Sequence, residues 1–230
     1  MKRLIPIVLS SLILLALLGF LRSTRAAGGA ESDRASIPVL ALAMPLAATS
    51  SDAVAVFAGG CFWGIEAVFE HLRGVKSAES GYAGGSSASP TYDEVSSGET
   101  GHAEAVRVVY DPSQITYAQL LQVFFSVAHD PTQLNRQGPD VGTQYRSAIF
   151  YGDAEQKRAA EAYVAQLTAA KTFPRPIVTQ IAPLREFNRA EDYHQDYMAH
   201  NPYSPYIIIN DAPKVANLRK QFSGMYVERP

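Results

Sequence analysis

The sequence predicts an α+β domain: a two-layer α/β sandwich in which helices cover one mixed sheet, with a ferredoxin-like core. Three observations carry that expectation. Short apolar runs of strand length alternate with longer amphipathic stretches in the order β-α-β-β-α-β-α-β. The hydrophobic period switches between about 2 and about 3.6 residues from one run to the next. Finally, 47% of the 230 residues are hydrophobic, which supports a sizeable core.

Taken in order, "VAVFAG" (54–59) is apolar, β-branched and closed by glycines, and reads as a buried strand. From Phe62 the apolar residues fall at 62, 65, 68, 69 and 72, one face of a helix, and Gly74 suits the position after its end. "VKSAESGYAGG" (75–85) is a strand running into a glycine loop, and "AEAVRVVYDP" (103–112) alternates until Pro112 stops it. Thr116 caps an amphipathic helix over 116–129. Residues 130–147 are too rich in Pro, Gly, Asn and Asp to be regular, and a polar loop of that length is usually functional or disordered. "SAIFY" (147–151) is a strand, 153–171 a helix capped by Asp153, and "IVTQIAPL" (177–184) a closing strand. A helical 189–200 and a Pro-containing tail complete the chain.

The N-terminus is a different kind of sequence. Met1-Lys2-Arg3 is basic and residues 4–21 are uncharged and mostly apolar, the pattern of an export signal or a short membrane anchor. Small residues suited to cleavage follow at 24–26 and 41–43, whereas Arg22 and Arg25 favour an anchor. No cysteine is there to acylate, which excludes a lipoprotein. Residues 1–26 are therefore expected to be a signal peptide or anchor, 27–50 a linker, and 51–230 the folded domain, placed in the periplasm or otherwise outside the cytoplasm. The apolar patches at 39–40 and 44–46 are expected to lie along the domain surface.

With 20 basic and 22 acidic residues and no charge block, nucleic acid is not an expected partner. A single cysteine cannot form an internal disulfide or a Cys-rich zinc site, and five scattered histidines show no metal-binding spacing, so no metal is expected. A monomer is expected, touching membrane only through an uncleaved N-terminal segment.

That one cysteine, Cys61, follows Gly59-Gly60 at the junction of a strand and a helix. Unpaired N–H groups and the helix dipole there favour thiolate, so a depressed thiol pKa and a nucleophile are expected. The plainer alternative is a small buried filler, the common fate of free cysteine. Phe62 and Trp63 are core aromatics by default, but Trp63 lies off the apolar face and suits a surface pocket. Other segments offer His102 and Glu104, Asp140 and Tyr145, and Tyr92, each with a plain alternative: strand-edge charge, turn former or rim aromatic. A Cys-His hydrolase assembled with His102, His129 or His194 stays open on these grounds.

"GGCFWG" (59–64) resembles the signature of the peptide methionine sulfoxide reductase A family. The resemblance continues, in register, through "GYAGG" (81–85), residues 90–112, residues 129–150 and "AEDYHQDY" (190–197). It implies reduction of methionine-S-sulfoxide, in proteins and as the free amino acid, with no bound cofactor. It makes Cys61 the nucleophile, Glu104 the proton donor, Tyr92 and Tyr145 hydrogen-bond donors to the oxygen, and Asp140 a supporting group. It makes Phe62 and Trp63 the wall for the substrate methyl group, with Gly60 permitting close backbone approach. Many members carry further cysteines near the C-terminus that resolve the sulfenic acid; residues 201–230 have none. The resemblance is thus to the single-cysteine type, which needs an outside thiol such as thioredoxin, glutaredoxin or a small thiol. The rival readings are another cysteine-nucleophile enzyme, a thiol hydrolase or peroxidase, and a non-catalytic module that binds oxidised proteins.

Overall fold

The computed structural model describes residues 37–86, 88 and 90–229. The expected signal or anchor lies outside the described residues. The described part of the expected linker, residues 37–50, has no helix or strand but is strapped to the domain. Ile37 and Leu40 are buried in the main core, and the Tyr163 hydroxyl donates to the Pro38 carbonyl at 2.7 Å. Leu42 and Met44 pack against the same core, while Val39 and Leu46 are exposed.

Six strands form one mixed sheet. Strands β1 (Ala53–Gly59), β2 (Val75–Ala83), β3 (Ala103–Tyr110) and β6 (Ser147–Tyr151) make its centre in the antiparallel order β6-β1-β3-β2. That is the split βαβ arrangement expected of a ferredoxin-like core. Strand β7 (Gln180–Pro183) adds in parallel to β6, and β8 (Phe187–Arg189) in antiparallel to β2. A separate two-residue pair, β4 (Arg136–Gln137) and β5 (Asp140–Val141), ties the long polar loop to itself.

The pleat sorts β1 cleanly. Ala55 and Phe57 face the helices, while Val56 and Ala58 join Ala103, Ala105 and Phe150 in a smaller core on the other face. Covering the first face are helices α1 (Phe62–Glu70), α3 (Tyr117–Val123) and α4 (Ala154–Ala169). Helix α2 (Tyr92–Ser96) is a single capped turn: Thr91 and Glu94 form a reciprocal capping box. Thr116 and Gln119 make the same box at α3, which widens into a π turn over Phe124–Ala128 before His129.

Two expectations need correction. Residues 189–200 are not one helix: after β8 come a 3₁₀ turn (Asp192–His194) and one-turn α5 (Tyr197–His200), with Asp196 left-handed between them at φ 52°. The cause is side-chain competition for backbone. Gln195 exchanges bonds of 3.0 and 3.1 Å with the Ser80 amide and carbonyl, and the Asp196 amide donates to Glu66 at 3.2 Å. The segment is therefore pinned to β2 and α1 instead of closing on itself. The tail is also more regular than its prolines suggest, forming one helical run over 205–221 that widens into a π turn (Ile207–Asp211) before α6 (Ala212–Gln221), with Pro213 in the first turn of α6.

Phe57 anchors the stack that backs the site, with ring centroids 5.0 Å from Phe69 and 4.9 Å from Phe124 and no exposure. Phe57→Ala should destabilise the domain by about 3–5 kcal/mol, read as a lowered urea midpoint at unchanged slope.

Candidate active site

Strand β1 delivers Gly59, Gly60 and Cys61 to the start of α1. Gly60 has φ +105°, and a Cβ there would lie 2.6 Å from the Gln137 side chain. A Cβ on Gly59 would lie 2.8 Å from the His129 ring. The two glycines thus admit the polar loop and the end of the π turn against the strand. Cys61 is the helix N-cap, with φ −51° and ψ 127°, and is 7% exposed. On β3, Glu104 shares the helix-facing side with Val106 and Val108, so the pleat carries it into the interior, where it is 2% exposed. Its Oε2 accepts the Phe62 backbone N–H at 3.1 Å, satisfying one of the unpaired donors of the first turn.

Burial decides the charges. Desolvation raises the Glu104 carboxyl to about 8; the Phe62 N–H works against this, and the Asp140 and Asp211 carboxylates add to it. Near neutrality Glu104 therefore holds its proton. The expected depression of the Cys61 thiol is overturned. Burial, with Glu104 and then Asp211, pushes it well above its ordinary value. The Trp63 N–H and Lys214 pull the other way without reversing the sum, and the N–H does not close a capping hydrogen bond to the sulfur. A short helix supplies too little field to offset a desolvated thiolate beside two carboxyls.

Tyr92 and Tyr145 join this space. Burial raises both phenols, and both respond to the charges of Glu104 and Cys61. Asp140 stands one step out: it acts on Tyr145, and it accepts a short hydrogen bond from the Tyr206 hydroxyl. Phe62 is wholly buried, 5.0 Å from the His194 ring and 6.0 Å from Tyr82. Trp63 is half-buried and held from three sides. Its Nε1–H donates to His194 Nδ1 at 3.2 Å, Tyr197 stacks on it at 3.7 Å, and Tyr206 meets it edge-on at 5.7 Å.

His102 packs against Gly85, and His129 sits between the Phe124 carbonyl at 3.0 Å and Ser147 Oγ at 2.7 Å. His194, the third candidate base, accepts the Trp63 indole N–H at Nδ1. Tyr197, Tyr206 and Asp211 were not assigned roles from sequence, and His194 only as a base. The tail carries no periodic signal that would mark them.

An α+β domain that sets a solitary thiol at a helix start, beside a proton-bearing carboxyl and two phenols, defines a cysteine-dependent oxidoreductase. The family model described as peptide methionine sulfoxide reductase matches residues 53–225. The chain belongs to the peptide methionine sulfoxide reductase family. It is 57% identical over 176 residues to peptide methionine sulfoxide reductase MsrA 2 of Mesorhizobium japonicum, covering 76% of this chain and 90% of that one. Among solved structures it is similar to methionine sulfoxide reductase A of Corynebacterium diphtheriae. That match has a TM-score of 0.60 and 40% identity over 74% of this chain and 88% of that one. It is also similar to reduced Mxr1 from Saccharomyces cerevisiae, with a TM-score of 0.62 and 34% identity over 68% and 92% of the two chains.

The Glu104 shift carries a stability signature. With a folded value of about 8 against an ordinary 4.5, the folded chain binds more protons than the unfolded one between those limits. Stability from this group is full below pH 4.5 and falls until about pH 8. Glu104→Gln, which resembles the protonated acid, should therefore gain on the parent by a few kcal/mol, on the order of 1.4 kcal/mol per pH unit, between pH 5 and pH 8. Paired urea titrations at the two pH values measure that difference and cancel the other titrating groups.

Proposed function

We infer that this chain is a thiol-dependent peptide-methionine (S)-S-oxide reductase that repairs oxidised methionine in proteins and also reduces free methionine sulfoxide. One observation carries the assignment of roles: Glu104, neutral near pH 7, is hydrogen-bonded to the turn that bears Cys61. A sulfoxide oxygen leaves poorly unless protonated, so a buried neutral carboxylic acid beside a thiol suits this reaction and does little for ester or amide hydrolysis.

In this reading Cys61 sulfur attacks the substrate sulfur while Glu104 gives its proton to the oxygen. Tyr92 and Tyr145 donate hydrogen bonds to that oxygen; their raised phenols stay protonated throughout the working pH range. Asp140, anchored by Tyr206, supports Tyr145. The S-methyl group rests on the fixed Trp63 ring, with Phe62 behind it. Oxygen donors on one side and an indole wall on another make the pocket chiral, which fits selection of one sulfoxide epimer. The substrate sulfur gains two electrons and becomes a thioether; Cys61 loses two and becomes a sulfenic acid. The chain has one cysteine, so no internal disulfide can follow. An outside thiol, from a thioredoxin-like or glutaredoxin-like protein or a small molecule, returns Cys61 to the thiol and releases water. The working unit is a monomer. The basic start and the apolar residues 4–21 support export to the periplasm, through a signal peptide or as an anchor.

Cys61→Ser should abolish turnover. The parent without reductant should release about one methionine per chain and leave a sulfenic acid that a trapping reagent labels; sustained turnover without thiol would sink the single-cysteine scheme. Glu104→Gln should lose about 10²–10⁴ in rate with substrate affinity kept, in a stopped-time methionine assay. For the N-terminus, the intact mass of exported protein separates loss of 26–43 residues from an anchored chain that retains Met1.

A further inference from the structure

Asp211 is wholly buried and belongs to none of the roles above. It occupies the N-cap position of α6, yet its side chain makes no capping hydrogen bond. The carboxylate is turned instead against the first turn of α1. A Cβ on Gly64 would lie 2.1 Å from Asp211 Oδ1, so the second glycine of "GCFWG" is the gap that admits it. Lys214 Nζ donates to Oδ1 at 2.9 Å, and Oδ2 is buried with no partner at all. An orphaned carboxylate oxygen in the interior costs about 1–3 kcal/mol or more and calls for an explanation.

The surroundings supply one. The charged groups that act on the Cys61 sulfur are Glu104 from β3, Asp211, and Lys214 from α6. Asp140 acts in turn on Asp211, and Tyr92, Tyr145 and Tyr206 feel the charge of the sulfur. Since the resting thiol is protonated, attack must release a proton. Glu104 cannot take it, because it already carries the proton destined for the oxygen, and an Asp140 oxygen is occupied by Tyr206. Burial also raises the Asp211 carboxyl, which makes it a stronger base, while Lys214 favours its charged form.

We propose that Asp211 accepts the proton Cys61 gives up as it attacks, directly or across one water, and that Lys214 is the residue that positions it. The S–H bond breaks and leaves its electron pair on sulfur, and the proton goes to Asp211 Oδ2. The pair forms a transient bond to the substrate sulfur as Glu104 protonates the oxygen; the S–S bond and the substrate S–O bond then break, one electron pair staying on the thioether and the other joining the hydroxyl to Cys61, and the proton on Asp211 returns to Glu104. The sum is thiol plus sulfoxide giving sulfenic acid plus thioether, with no atom or electron left over. The step rests on the reductase reading above.

Single-turnover methionine release from the full chain, followed from pH 6 to pH 10, tests it. The parent comes first: no methionine from it means the reductase reading has failed, whatever the variants do. If the parent turns over, Asp211→Asn should be at least tenfold slower at pH 7, with unchanged substrate affinity. The gap should narrow toward pH 10, where hydroxide competes with Asp211 for the thiol proton, while both rates fall as Glu104 ionises above about pH 8. Coulomb's law alone predicts the opposite at pH 7, since removing a negative charge makes the thiolate easier to form. A rate equal to or above the parent's overturns the proposal, and so does a loss that is the same at every pH, which would mark a structural role. Should the Asn variant not fold, Lys214→Gln gives the same reading: a loss confined to lower pH supports the proposal, and an unchanged rate or a uniform loss overturns it.

Discussion

The bond from the Phe62 amide to the Glu104 carboxyl is the contact on which the rest of the site depends. It joins the central strand β3 to the first turn of α1, and it does so in the interior, where neither group has water as an alternative partner. A carboxyl buried there stays neutral unless something compensates its charge, and one amide is not enough. The same burial that keeps Glu104 protonated keeps Cys61 a thiol. Two anions side by side in that space would also repel, which adds to the larger cost of desolvation. At rest Glu104 and Cys61 are thus both neutral, and the charge beside them is carried by the Asp211–Lys214 pair.

Around that contact the C-terminal segment acts as a frame. His194, Tyr197 and Tyr206 fix the Trp63 ring by a hydrogen bond, a stack and an edge contact; the first two stand on single turns and Tyr206 at the start of the helical run over 205–221. Those turns are themselves fastened to older parts of the fold. Glu66 on α1 accepts the Ser80 amide at 3.1 Å and the Asp196 amide at 3.2 Å, so one buried side chain ties helix, sheet and tail together. Its carboxyl is pushed up to about 7 by burial, and like Glu104 it works as a hydrogen-bond hub close to its point of ionisation. The indole is thereby positioned by residues more than a hundred positions away in sequence, and the pocket wall is as rigid as the tail's attachment.

What could be read from the sequence follows from where its information is local. Strands β1, β3 and β6 and helix α4 carry their period and their caps within a dozen residues, and they lie within a residue or two of where the pattern puts them. Cys61 was legible for the same reason, since glycines, thiol and helix start are adjacent. Glu104 was legible as a residue but not as an environment: at the head of an alternating strand a charge normally faces water, and it is the β2 strand beside it and the first turn of α1 that enclose this one. The thiol's charge state was misjudged through the same blindness, because a helix start is local and desolvation is not. The turns at 192–200 and the positions of Tyr206 and Asp211 depend on side chains reaching across the fold, which no window of sequence contains.

The absence of a second cysteine gives this arrangement a particular logic. A site that resolves its own sulfenic acid must move a second thiol to the first, so its tail has to open. Here the tail has no such duty: π turn, α6 and the Asp211–Lys214 pair are packed against α1. In the proposed reading such a fixed frame serves the oxidative half of the cycle, since hydrogen-bond donors held in place need no reorganisation in the transition state. The reductive half is left to a partner that must reach Cys61, a residue only 7% exposed. Any thiol reductant has to pass that cover before it meets the sulfenic acid, so the burial that sets the charges of the oxidative half also bears on the reductive one.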